Sequence, residues 1–264
     1  MLGIFDSGLG GLTVLQQLRR RLPHHDITYL ADQAHVPYGD RSDDELLGFL
    51  RDNIVYLQGV ASDAIVVACN TTCAVAIKHG WPASNVPVLN LIDNAAETIA
   101  AMGARKVGVL ATTVTTQTGA YGNAIRARVP GVQVEEVAAP ALVPLVEAGR
   151  YNGRAVRAAV EEACEPFSRD LDVLVLGCTH YPILDPHFAE IFGDGLIRLD
   201  PAIAQAQAAE KVVRELGIPE GSGTTLYATT GEPMAFGAAI RALLAEENPQ
   251  VVFAHDILTR IGNT

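Results

Sequence analysis

Short apolar runs alternate with longer amphipathic stretches along the whole chain. They fall at residues 2–5, 27–30, 64–68, 86–92, 106–111, 132–137, 173–177, 196–199, 224–228 and 251–254. Most are rich in Val, Ile and Leu without polar alternation, the pattern of parallel strands covered on both faces. The stretches between them have helical character, including 93–105 and a long helix opened by Pro201 and reaching Gly217. The pattern predicts an α/β fold of the doubly wound, mainly parallel type.

Open parallel sheets bind ligands beyond the carboxyl ends of their strands, so the residues after each run matter most. Asp6 and Ser7 follow the first run, Cys69, Asn70, Thr71 and Thr72 the third, residues 112–116 the fifth, and Cys178, Thr179 and His180 the seventh.

Two of these places resemble each other. SDAIVVACNTT around Cys69 and LDVLVLGCTHY around Cys178 both carry an Asp six residues before the cysteine, Asp63 and Asp172. Gly3 lies 66 residues before Cys69, and Gly108 lies 70 before Cys178. This suggests two related halves, each with one cysteine at the tip of an equivalent strand. The alternative is that any two buried strands look alike, since the match outside these segments is poor.

Composition narrows the function. Of 264 residues, 49% are hydrophobic and 19% charged, enough apolar material for a packed core. A net charge of −11 argues against attraction to nucleic-acid phosphates or anionic membranes and favours a small-molecule substrate. MLGIFDSG lacks a basic leader, and no run of 18 apolar residues follows, which predicts a cytoplasmic protein. The four cysteines read as free thiols. Cys69 and Cys73 have a spacing a metal could use, but no second pair completes a tetrahedral site, so no metal is expected.

Two thiols facing one cavity suit the removal of a proton from one face of a stereocentre and its return to the other. Asp6 is placed to neighbour Cys69, and His180 follows Cys178 by two residues. The plainer roles remain open: a helix cap for Asp6, a structural His180, and cysteines that pack as small hydrophobes. DSGLGG at 6–11 lacks the spacing of a dinucleotide loop, and its glycines would let backbone amides approach a small carboxylate. HVPYGD at 35–40 is a proline-initiated turn that could present the Tyr38 hydroxyl or the Gly39 amide to a ligand, or serve structure alone. With no phosphate-binding loop and no lysine in a strand-end cluster, no cofactor is expected.

DSGLGGLTVL, ADQAHVPYGD, ACNTTCA, PLVEAG at 144–149, GCTHYPIL and YATTGEP at 227–233 together closely resemble the motif series of bacterial glutamate racemases, within the aspartate and glutamate racemase family. The resemblance implies two α/β domains facing each other across the active site, the first completed by the C-terminal segment: residues 1–93 with 207–264, and 94–206. It implies racemisation of glutamate without a cofactor, supplying D-glutamate for peptidoglycan, with a homodimer as a compatible assembly. Cys69 and Cys178 would be the acid/base pair, assisted by Asp6, His180 and Glu147. Ser7, Pro37, Tyr38, Gly39, Asn70, Thr71, Thr115 and Thr179 would line the substrate site. The chain departs from the series at VLNLIDNAA after Pro87 and at Ala139, where a Cys commonly precedes the proline. An aspartate racemase shares the mechanism; a binding protein, or a thiol hydrolase built on Cys178 and His180 with a covalent intermediate, are readings from other classes.

Overall fold

The computed structural model describes residues 1–254. The last ten residues of the expected first domain, 255–264, lie outside the described residues. Each apolar run becomes a strand: β1 (Leu2–Asp6), β2 (Ile27–Ala31), β3 (Ala64–Val67), β4 (Val88–Asn90), β5 (Lys106–Ala111), β6 (Gln133–Ala138), β7 (Val173–Gly177), β8 (Ile197–Leu199), β9 (Thr225–Thr229) and β10 (Val251–Phe253). The helices between them are α1 (Leu12–Arg21), α2 (Asp43–Gly59), α3 (Asn70–His79), α4 (Leu91–Met102), α5 (Thr113–Thr118), α6 (Ala120–Arg128), α7 (Leu142–Glu147), α8 (Arg154–Cys164), α9 (Asp185–Phe192), α10 (Pro201–Leu216) and α11 (Pro233–Leu244).

One sheet runs β10-β9-β2-β1-β3-β4 and the other β6-β5-β7-β8. Every pairing among the described residues is parallel. The order β2-β1-β3-β4 recurs as β6-β5-β7-β8, so the related halves expected from the two cysteine segments appear as a repeated four-strand unit. Register agrees: Gly3 pairs with Ile65, four residues before Cys69, and Gly108 with Leu174, four before Cys178. Asp63 and Asp172 also correspond, their backbone amides donating to Met1 and Lys106 at the entries of β1 and β5.

The core explains the lack of polar alternation in the runs. Along β5, Val107, Val109 and Ala111 belong to a large cluster continuous with the first sheet, while Leu110 faces a second cluster with Leu142, Val156, Leu176 and Phe188. Both faces of the inner strands are therefore buried, and β1, β2, β3, β5 and β7 carry apolar residues at successive positions, whereas the edge strand β6 is only partly buried and admits Glu135 and Glu136. Helix α10 packs on both α1 and α4, and α3 on α5, tying the sheets together.

One boundary differs from the sequence expectation. The apolar run 86–92 is not strand throughout: β4 ends at Asn90, whose side chain accepts from the amides of Ile92 and Asp93 and starts α4. An Asn at an N-cap overrides the apolar character of Leu91 and Ile92. The long helix behaves as expected, with Asp200 capping it, Pro201 opening it and Gly217 closing it at φ 62°.

Candidate active site

Both cysteines lie where their strands end. Cys69 follows β3 by two residues and occupies the N-cap position of α3. Cys178 directly follows β7. They are 4% and 5% exposed, free thiols shut away from water.

Asp6, at the tip of β1, is fully buried. Its Oδ2 accepts from the amides of Gly8 and Gly11 at 3.0 and 2.9 Å, and its Oδ1 accepts from the Thr179 hydroxyl at 3.3 Å. Asp6 therefore holds the turn ahead of α1, which starts at Leu12 with Gly11 at its N-cap, and reaches the residue beside Cys178. Burial raises its pKa, against the pull of His180 and the two amides. The glycine-rich amides do approach carboxylates, but those of the protein itself: Leu9 N–H donates to Glu147 Oε1 at 3.1 Å. The glycines permit that approach. A Cβ on Gly8 would collide with Glu147, and one on Gly10 would collide with Thr179 and lie 2.7 Å from His180 Nδ1.

The second thiol has a relay behind it. His180 Nδ1 stands 3.5 Å from Cys178 Sγ, and its Nε2 is 2.5 Å from Glu147 Oε1. Burial alone would lower the His180 pKa, but Cys178 and Glu147 outweigh it and raise it well above 6.5. Glu147 is lowered in turn, because His180 and the Leu9 amide overcome the effect of burial. Both shifts favour an imidazolium on a carboxylate, with Nδ1 facing the sulfur.

Cys69 differs. Burial and the negative charge of Asp6 push its thiol up to about 12, opposed by the neighbouring polar groups of Thr72 and Ser7.

Around the thiols, the Thr71 and Thr112 hydroxyls bond across the two halves at 2.9 Å, and Thr112 bonds Thr115 at 2.9 Å. Gly39 packs against Thr112, bringing the Tyr38–Asp40 turn to the same place. Asn70 Oδ1 accepts from the Tyr121 hydroxyl at 2.5 Å. The Tyr38 hydroxyl is already engaged, donating to Asp32 Oδ2 at 2.5 Å. Pro37 is exposed at the start of that turn. Sequence reasoning assigned no role to Asp32, which also accepts from Thr230 at 2.7 Å, although it lies within the ADQAHVPYGD segment. Thr112 belongs to a flagged cluster without a role of its own; its equivalence to Ser7, each two residues beyond the paired positions Phe5 and Leu110, emerges from the sheet register. No trio of His, Cys, Asp or Glu among the described residues is placed to hold a metal ion, and no helix among them is long and apolar enough to cross a membrane.

Fold and site together define a class: two α/β domains of repeated topology with a buried thiol at the equivalent strand end of each. The chain belongs to the Asp/Glu/Hydantoin racemase family, matching it over residues 13–209, and is an isomerase, an amino-acid racemase. It is 38% identical over 256 residues to a glutamate racemase of Desulforudis audaxviator, covering 93% of this chain and 94% of that one. Its fold superposes on a glutamate racemase isoform of Bacillus anthracis with TM-score 0.89 and 30% identity, covering 96% of each chain. A glutamate racemase of Francisella tularensis in complex with D-glutamate gives TM-score 0.86 and 27% identity, again covering 96% of each.

Proposed function

We propose that this chain interconverts L- and D-glutamate without a cofactor, by two-base proton transfer between Cys69 and Cys178, and so supplies D-glutamate for peptidoglycan synthesis in the cytoplasm. The observation that carries the reading is the pair of buried thiols at equivalent strand ends, each with a different proton partner. One thiolate takes the Cα proton while the opposite thiol gives its proton to the other face; the two sulfurs end with their protonation states exchanged. The substrate assignment is supported by the relatives named glutamate racemase and by the D-glutamate complex of the Francisella protein.

In this reading His180, held by Glu147, serves Cys178, and Asp6 holds the turn beside Cys69. Thr71, Thr115, Thr179, Asn70, Ser7 and the 37–39 turn supply donors to the substrate's carboxylates, which stabilises the carbanion-like transition state in a site closed to water. We take the domains as 1–93 with the C-terminal segment from 207, and 94–206, a division that the two separate sheets support and whose boundaries fall within α4 and α10.

The test is to incubate the purified chain separately with each enantiomer of glutamate and of aspartate, without added cofactor, and follow optical rotation. The proposal expects loss of rotation with both enantiomers of glutamate. Racemisation confined to aspartate would move the assignment to the other acid; no activity on either would refute it.

A further inference from the structure

The threonines of the site divide into two kinds. Thr71, Thr112 and Thr115 bond one another. Thr72 is 1% exposed, and its Oγ1 has no hydrogen-bond partner. A buried unpaired hydroxyl costs about 1–3 kcal/mol, so its retention beside a reacting atom needs a reason.

Its position supplies one. Cys69 is the N-cap of α3, and Thr72 is the third residue of that helix. At this spacing the amide and side chain of the third residue lie next to the capping side chain. Both the Thr72 amide and its hydroxyl bear on the Cys69 sulfur, against burial and the charge of Asp6, which raise its pKa.

Resting on the racemase reading above, we infer that Thr72 is a further catalytic residue, whose hydroxyl donates to the Cys69 thiolate and stabilises it relative to the thiol. A neutral thiol is a weak acceptor, and the hydroxyl goes unpaired. When Cys69 is ionised, either before it takes the Cα proton or after it has given its own to the carbanion, the sulfur becomes a strong acceptor and the bond closes. The interaction is thus stronger in the charged state and in the transition state than in the resting enzyme, the condition for an interaction that accelerates the reaction. Cys178 has an imidazolium for the same task. The two thiols are therefore activated by different means: a hydroxyl and a helix N-terminus for Cys69, a His–Glu relay for Cys178.

The test replaces Thr72 by Val, which keeps the shape, by Ser, which keeps the hydroxyl, and by Ala as a second variant lacking it, with circular dichroism and melting to establish folding. Thr72→Val is expected to lower kcat/KM about tenfold, equally for both enantiomers because their equilibrium constant is fixed. The pH at which kcat reaches half its maximum should rise by about one unit in one direction only, the direction in which Cys69 removes the proton. Thr72→Ser should restore both quantities, and Thr72→Ala should behave as Thr72→Val. Parental kcat/KM and an unmoved pH midpoint in folded Thr72→Val or Thr72→Ala enzyme would overturn the role alone. A parent chain without racemase activity overturns the function and this role with it.

Discussion

At the residue scale, each thiol is matched to its own surroundings, and substitutions should reveal the difference. Cys69→Ser and Cys178→Ser each replace a thiol by a much weaker acid, and each should lower racemisation by about a thousandfold while leaving the fold intact, as read by circular dichroism and kcat. Parental turnover in either variant would contradict two-thiol transfer. His180→Asn removes the proton donor 3.5 Å from Cys178. It should depress kcat mainly in the direction that starts at Cys178, with KM changing so that kcat/KM stays equal in both directions. Equal losses of kcat in both directions would make His180 a general support instead.

The His180–Glu147 pair also contributes to stability, with a defined pH window. Its His pKa is raised above 6.5 and its Glu pKa lowered below 4.5. The contribution is therefore complete between those values, falls at acid pH as Glu147 is protonated, and falls at alkaline pH as His180 loses its proton. Glu147→Gln should cost roughly 3 kcal/mol near pH 6, with a deficit in melting temperature that shrinks toward alkaline pH. A deficit independent of pH would mean that packing, not charge, accounts for the loss.

At the scale of elements, the site depends on the 6–11 turn fitting against the other half of the molecule. Gly10→Ala would force a Cβ into Thr179 and His180. It should lower kcat/KM about a hundredfold by displacing the Cys178 loop, more than it lowers melting temperature in proportion; an active variant would show the loop can yield. This contact also marks the limit of what could be read from the sequence. The strands were legible because burial on both faces demands unbroken apolar runs, and the strand-end clusters because polar residues there interrupt them. The end of β4 was not, since Asn90 as a cap outweighs the apolar Leu91 and Ile92. Nor was the bond from Thr179 to Asp6, which joins residues 173 apart in sequence. The Tyr38 hydroxyl, offered by the sequence to a ligand, is held by Asp32 through a turn geometry that no local pattern specifies.

At the scale of the whole molecule, one four-strand unit is used twice, and each copy ends a strand in one buried thiol whose near neighbour in sequence bonds across to the other half. Both thiols are nearly inaccessible; in the proposed reaction the substrate would reach them through a separation of the two halves, whose closure would remove water from the reacting carbon. The claim that matters most is that the two sulfurs act on opposite faces of that carbon. The direct measurement is deuterium content at Cα, with each glutamate enantiomer incubated separately in deuterated water and sampled at low conversion. Transfer between two thiols predicts product carrying solvent deuterium at Cα in both directions, while the remaining substrate keeps its protium. Product that retains the substrate's own α-proton would show a single group working on both faces, and would contradict the account.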